Sequence, residues 1–575
     1  LQQRIAKSFA SQAWPAFAFV GVLSCIINIL YLTGSIFMLQ VYDRVIPSRS
    51  LPTLVALFAV VAGLFLFQAL LDLIRSRIFV RLGLLFDETM RQPVFDAVVR
   101  LPLTVARSNG DGLQPLRDVS TIRGFFAGGG PVVFLDLPWL PFFLGICFIF
   151  HPLIGIAATL GALILVIVAL ASEIMTRKPV KATVELSAKR LQLAEAGRRN
   201  AESLIAMGMT KGMRMRWSVA VDAEAQAQTK ASDVGGGFGA VSKALRLLLQ
   251  SAILAVGAYL VIDQQATGGI IIASSILTAR ALAPVEMAVG QWKNLIAARQ
   301  SWARLKALMA AMPVEIPRTL LPPPKSRLTV DGVAVRAPGT DRILVSGVSF
   351  EIKAGSALGV IGPSASGKTS LARAIVGVWR PASGSVQLDG APLDQWFRDE
   401  LGKHVGYLPQ DVELFAGTIA ENIGRMAPQI DSEAVIRAAQ AAGVHDMIVS
   451  LDGGYDAEVG DQGTALSKGQ RQRVALARAL YGEPFIVVLD EPNANLDQEG
   501  EAALANAVMS VRARGGVAVV VAHRPNAIAA VDYILMIQKG RQQAFGLKED
   551  VLERVLLRPP NSSLKVVGSE DDQRA

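Results

Sequence analysis

Cysteine is almost missing from this chain of 575 residues: there are two, Cys25 and Cys147, each inside an apolar stretch. Two thiols so placed build neither a disulfide framework nor a four-ligand zinc site, and they read as small buried hydrophobes. Charge is scarce as well. Asp, Glu, Lys and Arg make up 18% of the residues, where about a quarter is usual in soluble domains, while hydrophobic residues reach 51% and mean hydropathy is +0.40. A wholly water-soluble enzyme is excluded, because part of such a chain must have lipid as its solvent. The formal charge is +9, yet no basic block with interleaved aromatics occurs, so no nucleic-acid partner is expected. The positive excess fits residues lying against an anionic cytoplasmic leaflet.

Uninterrupted apolar sequence is what the chain has in excess. No charged residue occurs in residues 8–42, 51–71 or 137–172, and a bilayer core needs about 20 residues of helix. The first run is longer than the apolar core of a signal peptide and a second span follows it. His151 and Pro152 interrupt the third run, which predicts two helices joined by a tight hairpin, the first of them starting near Gly130 with Asp136 at its boundary. Weaker runs at residues 239–262 and 268–287 bring the expected spans to six. Residues 72–126 carry eight Lys or Arg and residues 173–234 carry eleven, against two, none and none in the loops after spans one, three and five. Both long loops and both termini are therefore placed in the cytoplasm.

The length and helical patterning of those loops predict that spans two to five run on beyond the bilayer. Lys243, Arg246, Arg280 and Glu286 fall in or at the edge of spans, where ionisable groups are costly. They are candidates for lining a polypeptide path through the membrane, with snorkelling to the interface or a structural ion pair as the alternatives. Glycine triplets at 128–130 and 235–237 flank spans and offer places for kinks or close packing.

After Met312 the composition changes. Pro313, Pro317 and Pro322 to Pro324 mark a stiff linker over residues 313–324, dividing a membrane domain, 1–312, from a domain of alternating strands and helices, 325–560, with a polar tail, 561–575. Gly362, Pro363, Ser364, Ala365, Ser366, Gly367, Lys368 and Thr369, followed by Ser370, match G-x-x-x-x-G-K-[ST] between an apolar strand and a helix. Glycines at these places let backbone N–H groups wrap phosphates, with Lys368 on the terminal phosphates and the Thr369 hydroxyl on Mg²⁺. The run FIVVLDE reads as a buried strand ending in Asp490, placed to hold the metal, and Glu491, the base for an attacking water.

The stretch LSKGQRQRVALARAL, containing Ser467, Lys468, Gly469 and Gln470, resembles the signature of ATP-binding-cassette proteins. Gln410 in YLPQD matches that family's Q-loop, His523 in VAHR its switch histidine, and NANLD, ending at Asp497, its D-loop, all in the family's order. The resemblance implies six membrane helices followed by an α/β P-loop ATPase domain, with ATP and Mg²⁺ as cofactors. Gln410 then joins Thr369 and Asp490 around the metal, and Gln410, Glu491 and His523 act in hydrolysis. One cassette and six spans make half a transporter, so a homodimer is implied in which the signature and Asp497 of one copy close over the ATP held by the phosphate loop of the other. EVGDQG, residues 458–463, looks like the loop by which exporters sense their membrane domain. Two positions depart from the family pattern: Lys468 replaces a glycine, and Ala337 stands where an adenine-stacking aromatic is usual.

FMLQVYDRVIPSRS, residues 37–50, and RNAESLIAMGM, residues 199–209, with APG and NANLD, resemble type I protein-secretion ATPases of the protease and lipase exporter kind. That family implies a bacterial inner-membrane dimer that docks a periplasmic membrane-fusion adaptor and an outer-membrane channel protein, and passes unfolded proteins with uncleaved C-terminal signals. No peptidase-like domain is recognised before the first span, so leader cleavage is not expected. The alternative within the same fold is export of lipids or small amphiphilic molecules. A non-hydrolysing regulator is disfavoured because Glu491 is present.

Overall fold

The computed structural model describes residues 2–104, 112–312, 320–493, 498–522 and 528–556. These fall into two compact units, one drawn almost entirely from residues up to 312 and the other from residue 320 onward. Pro313, Pro317 and the tail 561–575 lie outside the described residues.

Among the described residues of the first unit, six helices are long and apolar enough to cross a membrane: Ser11–Ser48, Leu51–Leu103, Gly130–Phe150, Pro152–Arg199, Thr210–Ile262 and Gly268–Ala311. The second, fourth, fifth and sixth belong to helices of 54, 48, 53 and 44 residues. At a rise of about 1.5 Å per residue each reaches roughly 65 Å or more, well beyond a hydrocarbon core of about 30 Å. The extension expected for spans two to five thus holds for the second, fourth and fifth, and the sixth extends too. The third differs. The chain before it forms a separate helix, Gln114–Ala127, and turns out of helical geometry at Gly128 before Gly130–Asp136 begins. A side chain at Gly130 would overlap the Phe125 ring, whereas Gly235, Gly236 and Gly237 stand in an unbroken helix with open space beside them. The two glycine triplets look alike in sequence and only the first one breaks a helix.

Buried polar groups knit these helices together. Asp136, 3% exposed, accepts hydrogen bonds from Ser24 Oγ at 2.8 Å, Asn28 Nδ2 at 3.0 Å and Arg75 Nη1 at 3.0 Å, joining the first three spans. Arg75 also reaches Asp72 at 2.8 Å. Below the Gly128 break, Asp118 accepts from Ser301 Oγ at 3.0 Å and from Arg304 Nε at 2.9 Å, tying Gln114–Ala127 to the sixth helix. Asp43, inside a π-helical turn at Val41–Val45, accepts from Thr267 Oγ1 at 2.7 Å and Gly269 N at 2.9 Å, and so caps the start of the sixth span. His151 does the same for the fourth, its Nδ1 accepting from Leu153 N at 3.2 Å in the one-residue joint between Leu140–Phe150 and Pro152–Arg199. Of the ionisable residues in the last spans, Arg246 and Glu286 pair at 2.8 Å, Arg280 lies over the Tyr31 ring at 4.7 Å, and Lys243 is exposed.

The second unit is built on a ten-stranded sheet: β1 (Arg327–Arg336), β2 (Ile343–Lys353), β3 (Ala357–Ile361), β4 (Ser383–Leu388), β5 (Ala391–Pro392), β6 (Val405–Leu408), β7 (Ile486–Asp490), β8 (Val517–Val521), β9 (Tyr533–Gln538) and β10 (Arg541–Leu547). The order is β5-β4-β1-β2-β10-β9-β3-β8-β7-β6, antiparallel at the β5 end and parallel from β9 to β6. β7 and β8 are buried at every residue, as short valine-rich runs must be when helices cover both faces. Asp389 and Gly390, both left-handed, make the β4–β5 turn, and the Asp389 carboxylate accepts the N–H groups of Lys325, Ser326 and Arg327 at 2.7 to 2.9 Å. The strand that follows the linker is fixed to the sheet at its first residues.

Removing one member of a buried charged pair leaves the other uncompensated, at about 3 to 5 kcal/mol, whereas replacing both with apolar residues is far milder. Asp136→Ala is therefore expected to lower the melting temperature of the detergent-solubilised protein sharply. Combining Arg75→Leu with Asp136→Leu should recover most of the loss in the same measurement.

Candidate active site

In an open parallel sheet the site forms where the strands end, and the order β3-β8-β7-β6 aligns the candidate residues there. β3 runs into residues 362–367, where Gly362, Ala365 and Gly367 take φ of +153°, +60° and +100°. A Cβ on Gly362 would fall on the Ile537 carbonyl oxygen and one on Gly367 on the Val345 side chain, so the loop turns this tightly only with glycine. The helix Lys368–Ile375 opens directly after Gly367, turning its free N–H groups toward the hollow of the loop. Ser370 is buried in its first turn, Ser364 and Pro363 are exposed on the loop, and Ser366 Oγ is buried without a hydrogen-bond partner among the described residues.

Lys368 is 4% exposed, and its Nζ donates to the carbonyls of Gly362 and Pro363, both at 2.9 Å. Burial pushes its pKa down while Glu491 and Asp490 oppose that push. Asp490 closes β7 and is fully buried; its Oδ1 accepts from Thr369 Oγ1 at 3.1 Å, and its Oδ2 has no hydrogen-bond partner among the described residues. Burial pushes the Asp490 carboxyl up to about 6, with the Thr369 hydrogen bond and the Arg373 and Lys368 charges working the other way and Glu491 adding to the rise. A half-satisfied carboxylate beside a hydroxyl is the hard-oxygen set that a small divalent cation takes.

Glu491 has φ +52°, a strained conformation for a residue with a side chain, and its N–H is held by the Val521 carbonyl at 3.0 Å. The turn brings its carboxylate to Gln410, just past β6, whose Nε2 donates to Glu491 Oε2 at 3.0 Å. Gln410, Glu491, Asp490, Thr369 and Lys368 are thus one connected group. His523 and Asp497 lie outside the described residues.

The signature residues stand apart from that group. Ser467 Oγ accepts from Gln470 N at 3.2 Å and Gln470 Oε1 accepts from Ser467 N at 2.9 Å, a capping box that starts the helix Lys468–Leu480. Lys468 is exposed and Gly469 half-buried, and among the described residues none of the four hydrogen-bonds the phosphate loop of its own chain. The loop before them turns on left-handed Gly460, Gln462 and Gly463, and the Gln462 carbonyl accepts from Arg471 Nη1 at 3.2 Å. Gln472 was missed in the sequence: it is buried on the apolar face of the signature helix, and its Nε2 donates to the Pro492 carbonyl just beyond Glu491. A glutamine among Val474, Ala475 and Leu476 was the available signal.

Ala337 sits at the β1–β2 turn, donating to the Arg342 carbonyl at 3.1 Å and accepting from Thr340 N at 3.1 Å. Its half-buried methyl presents no ring face. A ring added there by Ala337→Tyr is expected to tighten nucleotide binding by about 0.5 to 1.5 kcal/mol of stacking, read as a lower Kd for a fluorescent ATP analogue; an unchanged Kd would mean that adenine does not pack at this turn.

Residues 17–284 match the ABC transporter transmembrane region and residues 345–494 the ABC transporter family. The chain is 54% identical over 563 residues to the type I secretion system ATP-binding protein PrsD of Rhizobium meliloti (strain 1021), covering 97% of this chain and 96% of that protein. It is 26% identical over 544 residues to the exotoxin translocation ATP-binding protein PaxB of Pasteurella aerogenes, covering 93% of this chain and 76% of that one. For the leukotoxin translocation ATP-binding protein LktB of Mannheimia haemolytica the identity is 27% over 546 residues, covering 92% and 75%. In fold it is similar to a bacterial Atm1-family ABC exporter solved with ATP bound, at a TM-score of 0.82 and 23% identity, covering 94% of this chain and 96% of that one. With membrane helices, phosphate loop, acidic strand end and signature all on one polypeptide, the chain belongs to the ABC exporters, in the family of type I secretion system ATP-binding proteins.

Proposed function

We propose that this protein is one half of a homodimeric bacterial inner-membrane translocase that hydrolyses ATP to export unfolded proteins carrying C-terminal signals, working with a periplasmic membrane-fusion adaptor and an outer-membrane channel protein. The observation that carries this reading is identity of 54% spanning 97% of the chain, both units included, with a protein named for type I secretion. One membrane unit and one ATPase unit per chain leave a transporter half complete, which a second copy completes.

Within each ATPase unit the roles follow from position. The backbone of residues 362–367 and the N-terminus of Lys368–Ile375 hold the phosphates, and Lys368 gives up its two loop carbonyls to neutralise the terminal ones. Thr369, Asp490 and Gln410 are the residues that would hold Mg²⁺, and the open Oδ2 of Asp490 fits that assignment. When bound, the ion screens the charge that develops on the phosphoryl oxygens. Glu491 takes the proton of the attacking water, and Gln410 steers its carboxylate. Ser467, Lys468, Gly469, Gln470 and Asp497 serve the nucleotide of the partner, and His523 contacts the γ-phosphate.

Because each site then needs a phosphate loop from one copy and a signature from the other, Lys368→Ala and Ser467→Arg homodimers should both fail to trap nucleotide. Mixed dimers of the two variants should keep one intact site and recover trapping. Failure of the mixture to recover overturns the shared site.

The cargo is tested separately. ATP hydrolysis by the reconstituted wild type is expected to change on adding an isolated C-terminal secretion signal peptide, and to stay flat with lipids and small amphiphiles. A response to lipids or amphiphiles alone would replace protein export with lipid or drug export.

A further inference from the structure

Ser467 sits at one end of a 13-residue helix, and the other end of that helix carries a cation. The last carbonyls of a helix lack intrahelical partners, and a left-handed glycine commonly satisfies them. In Lys468–Leu480 only the last carbonyl is served this way: after Tyr481, φ −59° and ψ 133°, the chain turns at left-handed Gly482 and Glu483 N donates to the Leu480 carbonyl at 3.1 Å, which leaves the carbonyls of Arg478 and Ala479. Arg425 does the work from outside, its Nε donating to the Arg478 carbonyl at 3.1 Å and its Nη2 to the Ala479 carbonyl at 3.2 Å. The third arm of the same guanidinium, Nη1, donates to the Gly402 carbonyl at 2.6 Å.

Gly402 belongs to the helix Arg398–His404, which leads straight into β6 and Gln410. β6 is locked to β7 by paired residues from Val405↔Ile486 to Leu408↔Leu489, so the Gly402 side is anchored in the sheet. The signature helix is seated by its buried face, Val474 to Leu480, and the guanidinium ties the end of that seated helix to the sheet side. A second arginine completes the joint from within that helix: Arg478 donates from Nη2 to the Glu413 carbonyl at 3.2 Å and lies over the Phe415 ring at 5.7 Å, both just past Gln410. Arg425 itself follows the helix Ile419–Ile423 in a pair of left-handed residues, φ +57° there and +54° at Met426. Burial lowers the pKa of both arginines, and no carboxylate is hydrogen-bonded to either among the described residues. A strained backbone and a desolvated cation spent wholly on carbonyls are expensive in stability and make sense where direction matters.

We propose that Arg425 is a positioning residue for ATP hydrolysis, fixing the signature helix against the strand that leads to Gln410 so that Ser467 meets the nucleotide held by the partner copy. The proposal rests on the shared site described above. Loss of the fork loosens Ser467, so Arg425→Gln should leave the Kd for ATP within about twofold and lower kcat about tenfold or more, since small misplacements of a contacting group act on that scale. Arg425→Lys keeps the charge and loses the fork, and should recover part of kcat.

A general effect on folding is separated from positioning by mixed dimers carrying Lys368→Ala on one copy. The surviving site then uses the signature of the Lys368→Ala copy. Arg425→Gln placed on that same copy should abolish most of the remaining nucleotide trapping, and placed on the other copy should leave it nearly intact. Both dimers contain one Arg425→Gln chain, so misfolding acts on them equally. Equal loss in the two arrangements, or a raised Kd with unchanged kcat, overturns the proposal. Failure of the Lys368→Ala and Ser467→Arg mixture would instead overturn the shared site itself.

Discussion

A nearly buried ammonium group is what the rest of the ATPase unit is arranged around. Lys368 has lost its water and is tolerable only because two carbonyls accept from it and two carboxylates lie near. Each compensation makes a demand on the fold. The carbonyls are available only if residues 362–367 turn back on themselves, which Gly362 and Gly367 permit and a Cβ would block. The carboxylates are available only if β7 ends level with β3, which the shared neighbour β8 enforces through paired registers on both sides. The opposed shifts of Lys368 and Asp490, one down and the other up, have the same first cause, desolvation, and each charge relieves the other. A site that pays to keep both charges dry is one that gains when phosphate and a cation arrive together.

The membrane unit solves a similar problem with helices. Asp136 and Asp118 are both nearly buried, each is bonded to an arginine from another helix, and they lie on opposite sides of the break at Gly128. The start of the third span is therefore pinned to the first two spans, and the helix Gln114–Ala127 before the break to the sixth. Phe125 occupies the space that a side chain at Gly130 would need, so the break is packed. Charges in lipid are costly singly and cheap in company, which is also why Arg246 and Glu286 have found each other.

Local signals were legible in the sequence and long-range ones were not. The span starts near Gly130, Pro152 and Gly268, the His151 joint, the phosphate loop and the acidic strand end could all be read because each is specified within a few residues. Whether a glycine triplet breaks a helix depends on what fills the gap, and Phe125 at the first triplet has no counterpart at the second. The pairing of Arg246 with Glu286 and of Asp118 with Arg304 depends on helices meeting across the bundle. Arg425 was invisible for the same reason: its acceptors at Gly402 and Ala479 are set by the fold, and an arginine beside a glycine and a methionine carries no motif.

Backbone strain accompanies several of these long-range arrangements. Ala365, Arg425, Gln462 and Glu491 all hold left-handed backbone without being glycine, at about 1 to 3 kcal/mol each. They stand on the phosphate loop, behind the signature helix, in front of it and at the base. Each is over-determined by its surroundings: Glu491 by the Val521 carbonyl, Arg425 by the Asn422 carbonyl at 3.3 Å, Gln462 by Arg471, and Ala365 by the turn in which Ser366 N meets the Pro363 carbonyl at 3.3 Å. A relaxed backbone would point the following side chains elsewhere. Strain held in place by hydrogen bonds is a way of fixing direction without adding bulk to a hollow that must stay open for phosphate.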